Sequence, residues 1–576
     1  MTQQTRLSLM LVLLAGTLVS SAQNTGLNDL NQATICNPLN LSYRFCLDEP
    51  SRREAADPTM VLFKGEYYLF ASKSGGYFHS VDLIHWDLIT TNDLPVEDYA
   101  PTVMEMNDSL FFMASSGVQA IYKTADPKSG KWEMVRVTFP VGLWDPCLFL
   151  DDDDRVYLYF GCSNVNPIYG VELKRNTFNP DGRPVALINS QRDIYGWERK
   201  GDFNELGENP WIEGAWMTKH NGKYYLQYSG PGTEFKSYSD GVYVSGKPLG
   251  PFIPASHNPC SSKPGGFAAS AGHSNTFQDM YGNYWHISTM TISQKHMFER
   301  RLGLFPTFFD KEGELFVYTG FGDFPFIIPT KKISGPDELF PQWMLLSYNK
   351  PVEVSSEMPG NPKNHAVDEE IRTFWSAQTG NKGEWIMMDL QHECTVNAIQ
   401  INYAENETKI MGRNPDIYYQ YLLEYSVDGE TWNTLADKTQ NKADVPHDYI
   451  ELKTPVEARY IKLVNYRVPD GTFALAGLRI FGNGGGKTPS NVEKLNVVRS
   501  DSDRCIVTLN WTKTTGADGY NIRYGIEKDK LYHNYQVFGV DTLTIRSLNA
   551  LQKYYFTIDA FNENGITTGK KIIKLD

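Results

Sequence analysis

Three acidic residues stand in short phrases of similar shape: Asp57 in Ala56-Asp57-Pro58, Asp145 in Trp144-Asp145-Pro146 and Glu213 in Ile212-Glu213-Gly214. Two more phrases, Tyr99-Ala100-Pro101 and Gly272-His273-Ser274, share that shape without a carboxylate. An ionised carboxyl can accept a proton and a protonated one can deliver it, so a site holding both performs general acid–base chemistry. One Asp before Pro is ordinarily a turn residue serving its own hairpin. Three at matching positions of a repeat are different. Brought together, they crowd like charges, and a crowded carboxyl keeps its proton to higher pH.

The elements that would position them also repeat. Five segments begin with a turn signal and run into an aromatic-rich apolar strand: 65–70 (GEYYLF), 108–112 (DSLFF), 154–159 (DRVYLY), 222–226 (GKYYL) and 282–286 (GNYWH). They recur every 43 to 68 residues, the length of a four-stranded propeller blade with its loops. Each lies eight or nine residues after one of the five phrases, which places the phrase at the start of a blade's innermost strand. Innermost strands surround the axis, so Asp57, Asp145 and Glu213 are expected to line one pit.

On these phrases, residues from about 50 to 320 resemble glycoside hydrolase family 43, five-bladed propellers that are exo-acting and inverting. The resemblance implies Asp57 as the general base that activates water and Glu213 as the general acid. It implies Asp145 as the third carboxylate, which orients the acid and raises its pKa. His273 resembles an axial histidine near a central metal ion or water, and Arg301 an arginine that contacts substrate hydroxyls; Arg300 beside it offers the same group. Tyr99 stands where the family usually has Trp. Trp144 and Trp216 flank the carboxylates and are candidates to stack on a sugar. No cofactor is required, and a structural calcium ion is left open. The acidic run Asp151 to Asp154 is expected to be a solvated hairpin turn.

Two further modules follow. Residues 347–483 resemble a discoidin-like (coagulation factor 5/8 type C) β-sandwich through Thr373-Phe374-Trp375-Ser376, 385–390 (WIMMDL), Ser426-Val427-Asp428-Gly429 with Trp432, and 458–463 (ARYIKL). That resemblance implies a core place for most of the tryptophans and leaves glycan binding open. Residues 484–488 are Gly-rich and read as a flexible linker. Residues 489–576 resemble a fibronectin type III sandwich, with Trp511 on an early strand and Tyr554, Phe556, Ile558 and Ala560 alternating along a later one. The fold class is therefore all-β: a five-bladed propeller over 23–346 and two β-sandwiches.

Composition narrows the partners. The 576 residues carry 54 Lys plus Arg against 68 Asp plus Glu, a net charge of −14 without basic blocks, which excludes nucleic acid and anionic lipid as ligands. Arg6, an apolar run over 7–19 and Ser20-Ser21-Ala22 read as a cleaved signal peptide over 1–22, giving a secreted or periplasmic protein without a membrane span. Seven cysteines are too few for a disulfide scaffold, although Cys36 and Cys46 are near enough in sequence to pair.

The expected activity is removal of terminal sugars, α-L-arabinofuranosyl above all, from plant cell-wall polysaccharides. β-D-Xylosidase and exo-β-galactosidase are the alternatives within the family, and a catalytically silent glycan-binding protein the alternative outside it. On this reading, deleting 347–576 leaves turnover of small substrates intact. Oligomeric state stays open.

Overall fold

The computed structural model describes residues 33–576 apart from 118, 137–138 and 140–142, so the segment 1–22 expected to be a signal peptide lies outside the described residues. Nearly all the regular structure is strand, and no helix among the described residues is long and apolar enough to cross a membrane.

Five four-stranded antiparallel sheets form the propeller. Their innermost strands are Thr59–Phe63, Tyr99–Met106, Cys147–Leu150, Glu213–His220 and Ala269–Gln278, and each packs against the next around a closed ring. The aromatic-rich segments of the repeat are the second strands, whose side chains fill the wedges between neighbouring blades: Phe70 and Phe112 between blades 1 and 2, Tyr157, Tyr159 and Leu226 between blades 3 and 4. Among the described residues no strand is shared to close the ring. Blade 1 is built from consecutive strands, and closure rests on side chains of blade 5: Met60 N–H donates to Asn275 Oδ1 and Asp57 N–H to Thr289 Oγ1, both at 2.9 Å.

The five phrases share one backbone device. Asp57, Ala100, Asp145, Gly214 and His273 all have left-handed φ, between 45° and 61°. This conformation is costly for every residue but glycine, yet it recurs at each blade entrance. In blades 1, 2, 3 and 5 the strained residue's N–H donates to a hydroxyl at the end of the preceding blade's second strand: Thr289, Ser72, Ser115 and Ser229. At the fourth entrance the equivalent residue is Cys162, and Gly214 N–H turns instead to Asp145 Oδ2 at 3.2 Å.

Beyond the propeller, the sheet spanning 344–483 is organised by two strands of 19 and 21 residues, Trp385–Tyr403 and His447–Arg467, whose register shifts bend them between layers. Trp375 is fully buried against Phe473, whereas Trp385 and Trp432 are half-buried and flank Lys462, so only one of these three tryptophans is core. Residues 489–576 form three-stranded and five-stranded sheets around Trp511, Tyr520, Tyr554, Phe556 and Ile558.

The Gly-rich run between them is not a free hinge. Gly484 N–H donates to Glu563 O and Gly486 N–H to Asn564 Oδ1, and a Cβ on Gly484 would lie 2.7 Å from Asn564. All seven cysteines are free thiols, with Cys36 donating to Asp323 O and Cys46 to Glu54, so the Cys36–Cys46 pair does not form.

Candidate active site

The three carboxylates meet in one pit. Asp57 and Asp145 are nearly buried, with Glu213 and His273 half-buried beside them. His273 stands between the first two, its Nδ1 3.1 Å from Asp57 Oδ1 and 3.8 Å from Asp145 Oδ2. Asp145 and Glu213 bring ligand atoms within 4.8 Å of each other and of Cys162 Sγ. Gly214 allows this approach: a Cβ there would sit 2.9 Å from the His273 ring and 2.8 Å from Ser229 Oγ.

The carboxylates differ in what surrounds them. Asp57 Oδ2 accepts from Ser72 Oγ at 2.6 Å, and Oδ1 faces Arg300 Nη1 at 3.2 Å as well as His273. Burial pushes its pKa up, but Arg300, His273 and Ser72 together outweigh burial and hold it below the usual carboxylate value. Asp145 shares His273, at 3.8 Å, but among the described residues no guanidinium stands against it. Burial above all, then the charges of Glu213 and Asp57, push it up to about 7, although His273 and the Gly214 N–H favour its ionised form. Glu213 receives Tyr238 Oη on Oε1 at 2.5 Å and Cys162 Sγ on Oε2 at 3.1 Å. His273 is raised despite its burial, because Asp57, Asp145, Glu213 and Asp240 all favour the imidazolium. The pit thus holds one carboxyl, Asp57, kept ionised and another, Asp145, that retains its proton to near neutrality, the asymmetry that acid–base chemistry requires.

The other expected residues divide. Tyr99 lines the pit, its ring 5.8 Å from that of Phe298 and 5.9 Å from the Arg300 guanidinium. Trp144 is 60% exposed beside Asp145, open to a ligand. Trp216 is half-buried: one face packs against the core between blades 3 and 4 and its Nε1 donates to Thr276 O of blade 5. Arg301 is also displaced from the expected role. Neighbours on a strand project to opposite faces, and of this pair Arg300 reaches Asp57, Glu54 and Thr233, while Arg301 turns away to His447. The residue of the acidic run that matters structurally is Asp151, buried against Lys219 and Tyr224 rather than solvated.

A calcium ion asks for six to eight oxygen ligands. His273 offers nitrogen and commits Nδ1 to Asp57, while the three-donor cluster among the described residues includes the Cys162 thiol. These donors make no protein oxygen cage, so a calcium ion at His273 would be held through water.

Cys162, Tyr238, Ser72 and Arg300 were not singled out from sequence, although a signal existed for two of them. Ser72, Ser115, Cys162, Ser229 and Thr289 fall seven or eight residues after the five turn signals, and Cys162 is the single thiol in that series.

Comparison with known proteins accords with this geometry. Residues 51–314 match the family model Glycosyl hydrolases family 43, and residues 351–476 match F5/8 type C domain. The chain is 26% identical over 268 residues to Beta-D-galactofuranosidase xynD of Aspergillus niger, covering 39% of this chain and 72% of that protein. It is 27% identical over 164 residues to a Beta-xylosidase of Xylanibacter ruminicola (24% of this chain, 46% of the relative). A Xylosidase/arabinosidase of Butyrivibrio fibrisolvens is 25% identical over 262 residues (40% and 48%). The chain therefore spans about half the length of the latter two relatives. The pit of acidic side chains lies within the segment that matches the Glycosyl hydrolases family 43 model, and the segment that matches F5/8 type C domain follows it.

Proposed function

We propose that the protein is an inverting exo-acting glycoside hydrolase, with Asp57 as general base, Glu213 as general acid and Asp145 as the residue that sets the acid's proton affinity. The observation that carries this reading is the asymmetry of protonation within one pit: Asp57 is stabilised as an anion by Arg300 and His273, while Asp145 and Glu213 crowd each other. Inversion requires an ionised base to activate water on one face of the sugar and a protonated acid at the leaving oxygen on the other. Arg300 and Tyr99 are placed to contact the terminal sugar's hydroxyls and face, and Trp144 to stack on the next residue at the mouth.

Terminal α-L-arabinofuranose is the preferred substrate, with β-D-xylose and β-linked galactose the alternatives. The named relatives act on galactofuranosides, xylosides and arabinosides, which supports furanosides and pentosides as the class to test. The apolar run over 7–19 with Ser20-Ser21-Ala22, read as a signal peptide, supports action outside the cytoplasm. A panel of 4-nitrophenyl glycosides (α-L-arabinofuranoside, β-D-xyloside, β-D-galactopyranoside, β-D-galactofuranoside) tests the reading. Release of 4-nitrophenol by the wild type and not by Glu213→Gln paired with Asp57→Asn supports it; an inert wild type leaves a glycan-binding propeller.

Asp145 gives a prediction with a definite sign. Asp145 holds its proton to near neutrality because it is buried beside the charges of Glu213 and Asp57. In Asp145→Asn one charge is gone, Glu213 loses its proton more easily, and the basic limb of kcat/KM moves to lower pH. Stability moves the other way. A carboxyl raised in the folded state binds more protons than in the unfolded chain between about pH 4 and 7, so its cost grows as pH rises through that window. Asp145→Asn should therefore raise Tm at pH 8 and make little difference at pH 4. An unmoved basic limb rejects the role.

A further inference from the structure

Two strands beside the pit carry residues that face opposite ways. Along Arg53–Glu54, Glu54 faces inward and accepts from Arg300 Nη2 at 2.5 Å, while Arg53 turns outward into the F5/8 type C sandwich. Along Arg300–Phe309, Arg300 faces inward to Asp57 and Arg301 turns outward to the same sandwich. Each inward group thus shares its stretch of backbone with an outward neighbour.

The outward grip is complete. Arg53 is fully buried and uses all five of its N–H donors. Nε donates to Glu405, Nη1 to Tyr43 O and to Asp444 Oδ2 at 2.7 Å, and Nη2 to Asp444 Oδ1 at 2.8 Å and Tyr419 Oη at 3.3 Å. Arg301 Nε donates to His447 Nε2 at 2.9 Å, and its Nη1 ties the two strands together through Arg53 O and Arg300 O. Glu405, Asp444 and His447 all belong to the sandwich. Planar, bidentate guanidinium–carboxylate pairs fix orientation as well as distance.

We infer that Glu405, Asp444 and His447 are positioning residues for the propeller's pit: gripping Arg53 and Arg301 from behind, they hold Glu54 and Arg300 in register around Asp57. The inference rests on the acid–base reading of that pit. It makes the sandwich part of the active-site scaffold. Asp57 faces two cations, Arg300 and His273, and the other titratable groups acting with it are Asp145, Tyr99, Tyr238 and Cys162. Withdrawal of Arg300 leaves His273 to oppose these neutral and acidic neighbours without it, and the Asp57 anion is less favoured.

Glu405→Gln in the full chain tests this, because it keeps the shape of the side chain and leaves Asp444 on Arg53. With an aryl glycoside that the wild type cleaves, the acid limb of kcat/KM should move up by about half a pH unit or more. Its kcat should fall roughly tenfold with little change in KM, the pattern of a misplaced reacting group. Glu369→Gln is the control: it breaks another buried pair, Arg479 Nη2 to Glu369 Oε2 at 2.9 Å, away from the two strands. It should lower Tm and leave the acid limb in place. If Glu405→Gln does not fold, Asp444→Asn is read in the same way. A Glu405→Gln profile that superimposes on an active wild type overturns the inference alone, whereas a wild type inert on every glycoside removes the acid–base reading beneath it.

Discussion

Asp57→Asn should abolish turnover of every glycoside that the wild type cleaves, with kcat lowered by roughly 10²–10⁴-fold whatever the leaving group. Asparagine keeps the size of the side chain and its contact with Ser72, but it cannot take a proton from water. Glu213→Gln should behave differently. A 4-nitrophenolate leaves without much protonation, so the loss should be smaller on aryl glycosides and reach the same range only on a sugar leaving group, whose oxygen needs the proton. Exogenous azide adds a discriminating arm: a small anion can replace activated water in Asp57→Asn, but it cannot protonate a leaving alkoxide in Glu213→Gln. Steady-state kinetics on paired aryl and disaccharide substrates reads this out. An Asp57→Asn variant with wild-type kcat discards the assignment.

The meeting of these carboxylates was legible in the chain because the repeat has a phase, while their separate roles came from the family resemblance. Once Ala56-Asp57-Pro58, Trp144-Asp145-Pro146 and Ile212-Glu213-Gly214 are set against the five turn signals, propeller symmetry brings their carboxylates together, and the structure does so through a left-handed residue at each entrance. Other details were not encoded in that phase. Which of Arg300 and Arg301 faces the pit depends on the pleat of a strand whose register is set by pairing with Tyr284–Thr291. Trp216 follows Glu213 by three residues and looks like a platform in sequence. A register shift between Glu213 and Trp216 separates them, and the indole ends in a wedge between blades. Cys162 was visible as the exception in the Ser/Thr series, yet its meaning required knowing that the series accepts the strained N–H of the next blade. The grip on Arg53 lay beyond reach, since Glu405 and Asp444 come from a module more than 350 residues away in the chain and only packing brings them there.

Packing also reverses an expectation about truncation. Were the sandwiches independent beads, a chain ending at residue 346 would keep its turnover of small glycosides. The interface argues otherwise. Phe324 and Phe481 lie in one buried cluster with Cys36 and Tyr449, and Phe267 packs with Ile371 and Ala476 in another. Removing 347–576 uncovers Phe267, Phe321 and Phe324 as a contiguous apolar patch, a feature that soluble domains rarely tolerate. The same cut strips Arg53 and Arg301 of Glu405, Asp444 and His447, leaving two guanidiniums side by side without an acid on their outer face. It also frees the exposed face of blade 5, where Lys530 is held by Asp310 and Glu314 and Tyr532 stacks on Phe316 at 3.8 Å. Against a typical margin of about 5–15 kcal/mol for a folded domain, losing both apolar seams is enough to prevent a stable monomer. The 33–346 fragment should therefore aggregate or unfold well below the wild-type Tm, and any soluble fraction should lose at least about tenfold in kcat as Arg300 drifts from Asp57. Size-exclusion chromatography with thermal unfolding and aryl-glycoside kinetics on the same sample measures both effects, and a soluble, monomeric fragment with wild-type kcat would show that the propeller positions its own carboxylates without help.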